Sequence, residues 1–125
     1  MKKLLVFFIL LAILTGCNEN KKVSYVSIST AEAIEMMENE TDYIILDVRT
    51  VAEYESGHIK GAINYPNEDI KDEMLDILPD KDQLIFVYCR SGNRSKSASQ
   101  KLANIGYTNI VEIGGINSWP FDLEY

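Results

Sequence analysis

The residues best suited to chemistry lie in the stretch YCRSGNRS, residues 88–95. Cys89 ends an apolar run, LIFVYC, and Arg90 and Arg94 follow it closely. A segment with helical periodicity begins directly afterwards. A helix N-terminus and nearby arginines both lower the pKa of a cysteine thiol, from about 8.5 to roughly 3.5–7.5. The pattern therefore predicts a thiolate nucleophile in a pocket that also attracts anions.

The residues between the two arginines are small or polar, namely Ser91, Gly92 and Asn93. We expect the amides of this loop, which are unpaired at the start of a helix, to surround the sulfur. A buried structural cysteine is the alternative, because this residue type is often buried. That alternative does not explain two arginines and a glycine within five residues of the thiol.

Other charged residues are candidates for supporting roles. Asp47 and Arg49 flank Val48, so their side chains point to the same side of a strand end. They form either a charge pair near the pocket or a structural pair that holds the loop, and we favour the structural pair. His58, the only histidine, is a candidate proton carrier. We expect it instead to hold a turn by hydrogen bonds, since a thiolate needs no base.

Apolar runs of strand length occur along the chain. The runs YIILDV (43–48) and LIFVYC (84–89) are apolar nearly throughout, which is typical of strands buried on both faces. Shorter strands are predicted within residues 24–29, 62–66 and 109–113.

Helices are predicted between these strands. Capping boxes at residues 29–32 and 50–53 begin two of them, and the second is a short turn. A third is predicted at residues 68–78, and a fourth ends at Gly106. The buried stripe expected for the third helix consists of Ile70, Met74, Ile77 and Leu78.

The alternation of strands and helices predicts an α/β fold. We expect a central, mostly parallel five-stranded sheet with helices on both faces. In such sheets, ligands bind beyond the carboxyl ends of the strands. Cys89 lies at the carboxyl end of its strand, which is where this architecture places its sites.

The N-terminal residues differ in character from the rest. Lys2 and Lys3 precede eleven apolar residues, Leu4 to Leu14, too few for the roughly 20 that a membrane helix needs. A short positive region, a short apolar region and small residues are typical of a secretion signal. The ending LTGC resembles the bacterial lipobox, in which the cysteine receives lipid. An ordinary cleaved signal and an uncleaved anchor are the alternatives.

The lipobox resemblance divides the chain into three parts. We predict a lipoprotein signal peptide at residues 1–16, lipidated Cys17 with a polar tether at residues 17–23, and a folded domain at residues 24–125. The domain is then extracytoplasmic and lipid-anchored to a bacterial membrane. If Cys17 carries lipid, Cys89 has no disulfide partner within the chain.

The composition excludes some classes of function. A length of 125 residues, 46% of them hydrophobic, suits one domain with a real core. The net charge is −7, and cleavage would remove two lysines and no acidic residue, leaving −9. This acidic balance argues against binding to nucleic acid, which needs a basic face.

Three segments resemble the rhodanese family of sulfurtransferases. CRSGNR is similar to the active-site loop of that family, and LDVRTVAEYESGHIKGAINYP, residues 46–66, is similar to its other signature. GGINSW is similar to the C-terminal motif. The three occur in the family's order, and the resemblance covers about residues 24–125. The ending PFDLEY is shorter than the usual family ending.

The resemblance implies a rhodanese-like fold and a sulfur-transfer reaction. Cys89 would attack the outer sulfur of a small anionic donor such as thiosulfate and become a persulfide, which cyanide or a thiol then discharges. The loop amides would stabilise the persulfide charge, and Arg94 and Arg90 would hold the anion. The expected partners are this donor, the acceptor and a membrane; a protein acceptor stays open, and neither a metal nor a cofactor is expected.

Two other classes of function compete with this interpretation. A cysteine phosphatase or arsenate reductase of the related type has five residues between cysteine and arginine, whereas Cys89 and Arg94 have four between them. Phosphate needs a wider ring of amides than a single sulfur atom. A non-catalytic binding module or persulfide carrier on the same scaffold is the second alternative, because a fold does not imply a function.

Overall fold

The computed structural model of the protein describes residues 24–125. Five of its strands form one sheet in the order β1-β6-β5-β2-β4, and all neighbours in this sheet are parallel. This confirms the predicted α/β class and the five-stranded sheet. The strands are β1 (Val26–Ser27), β2 (Tyr43–Asp47), β3 (His58–Ile59), β4 (Ile63–Asn64), β5 (Leu84–Cys89), β6 (Ile110–Gly115) and β7 (Leu123–Glu124).

The two longest apolar runs form the neighbouring strands β2 and β5. All six residues of β5 are buried. Successive side chains of a strand point to opposite faces, so Val87 and Cys89 lie in one half of the core and Phe86 and Tyr88 in the other. Burial on both faces explains why these runs are apolar without alternation.

Three α-helices cover the sheet: α1 (Thr30–Glu38), α2 (Val51–Glu55) and α3 (Asn93–Ile105). Both predicted capping boxes are present, at Ser29 with Glu32 and at Thr50 with Glu53. Residues of α1 and α2 pack in the half of the core that contains Tyr88, and α3 packs in the other half. Helices therefore lie on both faces of the sheet, as predicted.

The prediction of a helix at residues 68–78 is wrong. Only a 3-10 turn, Asn67–Asp69, forms there. Five acidic residues and one lysine occur in this segment, and like charges at helical spacing destabilise a helix. Ile70 and Leu78 are buried as expected, whereas Met74 and Ile77, expected in the same stripe, are exposed.

The hydroxyl of Tyr107 holds the non-helical segment in place. It accepts from the backbone N–H of Leu75 at 3.0 Å and donates to the carbonyl of Leu78 at 2.6 Å. Tyr107 itself is 1% exposed and follows α3. A tertiary contact therefore satisfies the Leu75 N–H, which the predicted helix would have satisfied internally, and the Leu78 carbonyl, which would have been left at the end of that helix.

A second, two-stranded sheet lies outside the predicted pattern. β3 pairs antiparallel with β7, which lies in the C-terminal segment.

No helix in residues 24–125 has the length and apolarity to cross a membrane. The predicted signal peptide, Cys17 and the tether, residues 1–23, lie outside the described residues. The described part begins at residue 24, where we predicted the domain to start.

Candidate active site

The candidate nucleophile lies between the last residue of β5 and the first turn of α3. Gly92 is the N-cap of α3, with a left-handed φ of 119°, a conformation that favours glycine. This conformation turns the chain so that the backbone N–H of Gly92 donates to Cys89 Sγ at 3.0 Å. The amide of Gly92 is therefore one of the loop amides that we expected to surround the sulfur.

The surroundings of Cys89 lower its thiol pKa below the ordinary value. Burial alone would raise it, because a thiolate loses hydration in the interior. Hydrogen bonds from the hydroxyl and amide of Ser95 and from the amides of Gly92 and Ser91 outweigh burial. The start of α3 thus stabilises the thiolate form, as the sequence predicted for a helix N-terminus.

The end of β6 supports the loop from behind. A side chain at Gly115 would place its Cβ 1.9 Å from the carbonyl oxygen of Arg90, so only glycine allows this close approach. The backbone N–H of Asn117 also donates to that carbonyl, at 3.4 Å. These contacts give a physical reason for glycine in the motif GGINSW.

Arg94 is paired with a carboxylate that the sequence analysis did not connect to it. Its Nη1 and Nη2 donate to Glu53 Oε1 and Oε2 at 2.7 and 3.0 Å. This bidentate pair raises the pKa of Arg94, with a smaller contribution from the Cys89 charge, and lowers the pKa of Glu53 to about 2. Glu53 is also the acidic residue of the α2 capping box. The capping box was the only signal in the sequence, and it did not reveal the pairing.

Arg90, Ser91 and Asn93 are exposed at the mouth of the loop. A cavity of ≈ 240 Å³ lies beside them, between the loop, α2 and the C-terminal segment. Its lining is mixed, with Arg49, Glu53, Arg90 and Asn117 on the polar side and Ile116 and Leu123 on the apolar side. The structure therefore places Arg90, as well as the pair of Arg94 and Glu53, at an open surface.

Asp47 and Arg49 form a buried ion pair below this cavity. Arg49 Nη2 lies 2.7 Å from Asp47 Oδ2, and it also donates to the carbonyl of Gly57 at 2.7 Å. The hydroxyl of Tyr88 donates to the same carboxylate at 2.6 Å. Burial and this bond raise the pKa of Tyr88. The pair thus ties the end of β2 to the turn after α2, which supports the structural role that we favoured.

His58 holds a turn, in line with the expectation from sequence. Its ring stacks on Tyr54 with 3.7 Å between centroids, and its Nδ1 lies 2.9 Å from the Tyr54 carbonyl oxygen. Its Nε2 lies 3.3 Å from Glu124 in β7. These contacts connect α2, β3 and β7, and none of them involves Cys89.

Two buried residues next to Cys89 escaped the sequence analysis. Ser95 is 0% exposed and Glu112, in β6, is 1% exposed. The Cys89 thiol donates to Ser95 Oγ at 3.5 Å, and Ser95 Oγ donates to Glu112 Oε2 at 2.6 Å. A single acidic residue inside a strand that is otherwise apolar was the one available signal.

Comparison with known proteins gives two family matches. The rhodanese-like domain matches residues 29–120, and the prokaryotic membrane lipoprotein lipid attachment site matches residues 1–18. The second match contains Cys17 and confirms the predicted resemblance of the N-terminus to a lipoprotein attachment site.

Curated relatives agree with the first match. The chain is 37% identical to thiosulfate sulfurtransferase PspE of Escherichia coli over 71 residues, which are 57% of this chain and 68% of that protein. It is 35% identical over 96 residues to adenylyltransferase and sulfurtransferase UBA4 of Candida albicans. That match covers 71% of this chain but only 22% of the relative, so it concerns one part of a longer protein.

Solved structures agree with the fold. An E. coli structure described as rhodanese with anions has a TM-score of 0.60 and 32% identity, covering 66% of this chain and 96% of the other. A rhodanese-like domain protein from Staphylococcus aureus has a TM-score of 0.67 and 29% identity, with coverages of 79% and 96%. The family match, the relatives and the parallel sheet with its cysteine loop lead to one conclusion: the chain belongs to the rhodanese-like family of sulfurtransferases.

Proposed function

We propose that this protein moves a sulfane sulfur from a small anionic donor, such as thiosulfate, to a thiophilic acceptor through a persulfide on Cys89. The observation that carries the proposal is the position of Cys89 Sγ at the start of α3, 3.0 Å from the Gly92 amide. The thiosulfate sulfurtransferase activity in the name of the E. coli relative supports the choice of donor.

The first step is a displacement at sulfur. The Cys89 thiolate attacks the outer sulfur of thiosulfate, and a new S–S bond forms. The original S–S bond breaks, and sulfite leaves with its electron pair. Cys89 then carries one extra sulfur with a negative charge, which lies where the amides of the loop converge.

The second step regenerates the thiolate. Cyanide or a thiolate attacks the terminal sulfur of the persulfide, and the S–S bond to Cys89 breaks with its electron pair returning to Sγ. The product is thiocyanate or the persulfide of the acceptor. The proposed steps need neither a metal nor a cofactor.

The two arginines have different proposed roles. Arg90 is exposed and lines the cavity, so it is placed to attract the donor anion. Arg94 is held by Glu53, so an anion that approaches it must compete with a carboxylate. The substrate loop in this proposal consists of Ser91, Gly92 and Asn93, and the Asp47–Arg49 pair supports it.

The intact mass of the protein tests the proposal. The full chain, incubated with thiosulfate and no reductant, should gain the mass of one sulfur atom and lose it again on addition of cyanide. A Cys89→Ser variant is the control and should gain nothing. If the wild-type protein gains no mass from any sulfane donor, the proposal is wrong. Hydrolysis of a small aryl phosphate in that case would favour the phosphatase alternative.

A further inference from the structure

The hydroxyl of Ser95 has more acceptors around it than it can serve. Its Oγ lies 2.6 Å from Glu112 Oε2, 2.9 Å from the Gly92 carbonyl oxygen and 3.5 Å from Cys89 Sγ. A serine hydroxyl carries one proton. When Glu112 is ionised, the short charge-assisted bond to its carboxylate takes that proton. The lone pairs of Ser95 then face Cys89, whose thiol donates to them.

Glu112 is a buried acid that the sulfur-transfer steps do not use. Its carboxylate accepts from the backbone N–H of Gly114 at 2.7 Å and from the hydroxyls of Ser95 and Ser27. No lysine, arginine or histidine within residues 24–125 forms an ion pair with it. A buried carboxylate that lacks a cation is costly to keep charged. Its contact with Ser95 therefore places Glu112 where it can take a proton from the side of Cys89.

We propose that Glu112 accepts the proton of the Cys89 thiol through the hydroxyl of Ser95. The thiol passes its proton to Ser95 Oγ, while Ser95 passes its own proton to Glu112. The products are a thiolate that accepts from the Ser95 hydroxyl and a neutral carboxylic acid. One negative charge moves from carboxylate to sulfur, so this transfer does not add a second charge to the interior.

This inference rests on the proposed function in one respect, because it explains how the nucleophile is formed. The proton stays inside the protein and can return when the sulfur becomes a thiol again. Glu112 does not touch the substrate and acts only through Ser95, so it is a positioning residue.

The ion pair near the thiol does not change its charge over the pH range in which Cys89 alkylation is measured. Arg94 stays charged, and Glu53 has a pKa of about 2. Arg90 follows Cys89 in the chain and is exposed. From the side of β1, the group that contacts Glu112 is the hydroxyl of Ser27. The coupling to be tested is therefore between Cys89 and Glu112.

The test is the pH dependence of Cys89 alkylation by iodoacetamide. Rates are measured in the full chain on the tryptic peptide 82–90, which contains Cys89 and excludes Cys17. Two coupled groups that share one proton titrate in two steps. We expect the wild-type rate to rise in two steps with pH. In Glu112→Gln, whose amide oxygen can still accept from Ser95 and Gly114 but whose side chain cannot take a proton, the lower step should be lost.

Serine variants provide the second arm. Ser95→Ala should also lose the lower step, because it removes the hydroxyl that donates to the thiolate when Glu112 is protonated, and it leaves the carboxylate in place. Ser99→Ala is the matched control, since Ser99 is buried in the same helix and its hydroxyl has no partner in the described part of the chain. It should keep both steps. If the wild-type protein and Glu112→Gln show the same number of steps, the inference is wrong.

Alkylation needs no sulfur donor, so this test is independent of the proposed function. A protein that gains no sulfur from thiosulfate but loses the lower step in Glu112→Gln would overturn the proposed function alone. A protein that gains sulfur but shows no change in the number of steps would overturn the inference alone.

Discussion

Arg94 is paired with the Glu53 carboxylate and also responds to charge on Cys89. Its bidentate pair with Glu53 is partly exposed, with 31% of each side chain accessible. Chiefly because of Arg94, the pKa of Glu53 falls from 4.5 to about 2. The pair therefore stabilises the folded protein at neutral pH, and this contribution is lost as the pH falls from about 4.5 towards 2. In the free protein, Glu53 reduces the positive charge that an anionic donor meets.

We predict that Glu53→Gln lowers KM for thiosulfate by roughly two- to fivefold, because a partly exposed ion pair is worth up to about 1 kcal/mol. Glutamine still fits the capping box, so α2 should remain intact. The control is Glu55→Gln, which removes an exposed charge from the same helix. Steady-state kinetics with both variants measure the effect. Equal KM values for the two variants would show that Glu53 does not compete with the donor.

At the scale of elements, the segment between β4 and β5 is positioned by a contact and not by its own helical structure. Tyr107, just beyond α3, bonds to the backbone at Leu75 and Leu78. This segment covers the face of the sheet that contains Cys89. We therefore expect the buried hydroxyl of Tyr107 to contribute to the stability of this half of the core.

We predict that Tyr107→Phe lowers the free energy of unfolding by about 1–3 kcal/mol, because it leaves buried backbone groups unpaired. Urea unfolding measures this difference. Tyr65→Phe is the matched control, since Tyr65 packs against the same core cluster and its hydroxyl bonds to no other described residue. A Tyr107→Phe protein as stable as the control would show that the hydroxyl does not hold the segment.

At the scale of the whole molecule, an acidic domain is joined to a lipid attachment site. The net charge is −7, and the predicted cleavage makes it −9. An anionic membrane surface repels such a domain. We therefore propose that lipid on Cys17 alone holds the domain, residues 24–125, at the membrane, with residues 17–23 as the tether. We also propose that the domain is extracytoplasmic, on the ground of the signal peptide proposed at residues 1–16.

We predict that Cys17→Ala changes both the maturation and the detergent partitioning of the expressed protein, because the residue that receives the lipid is lost. Intact mass shows whether residues 1–16 are removed and whether lipid is attached, and detergent partitioning is measured on the same samples. Cys89→Ala is the control and should mature and partition like the wild type, because Cys89 is buried in the folded domain. A Cys17→Ala protein that matures and partitions like the wild type would contradict the lipid anchor.

The sequence alone determined the features that depend on local pattern. Apolar runs indicated the central strands, and two capping boxes indicated where helices begin. The position of Cys89 at a strand end before a helix indicated the site, since the amides of a helix N-terminus lie within a few residues of the thiol. These features need no knowledge of distant residues.

The tertiary structure alone decided which distant side chains meet. Glu53 and Arg94 are 41 residues apart, and Ser95 and Glu112 are 17 apart. Sheet order and register bring such residues together, and neither is encoded in a local window of sequence. Residues 68–78 show the same limit of local sequence. Their apolar spacing predicted a helix, but in the structure the distant hydroxyl of Tyr107 bonds to the backbone of this segment instead.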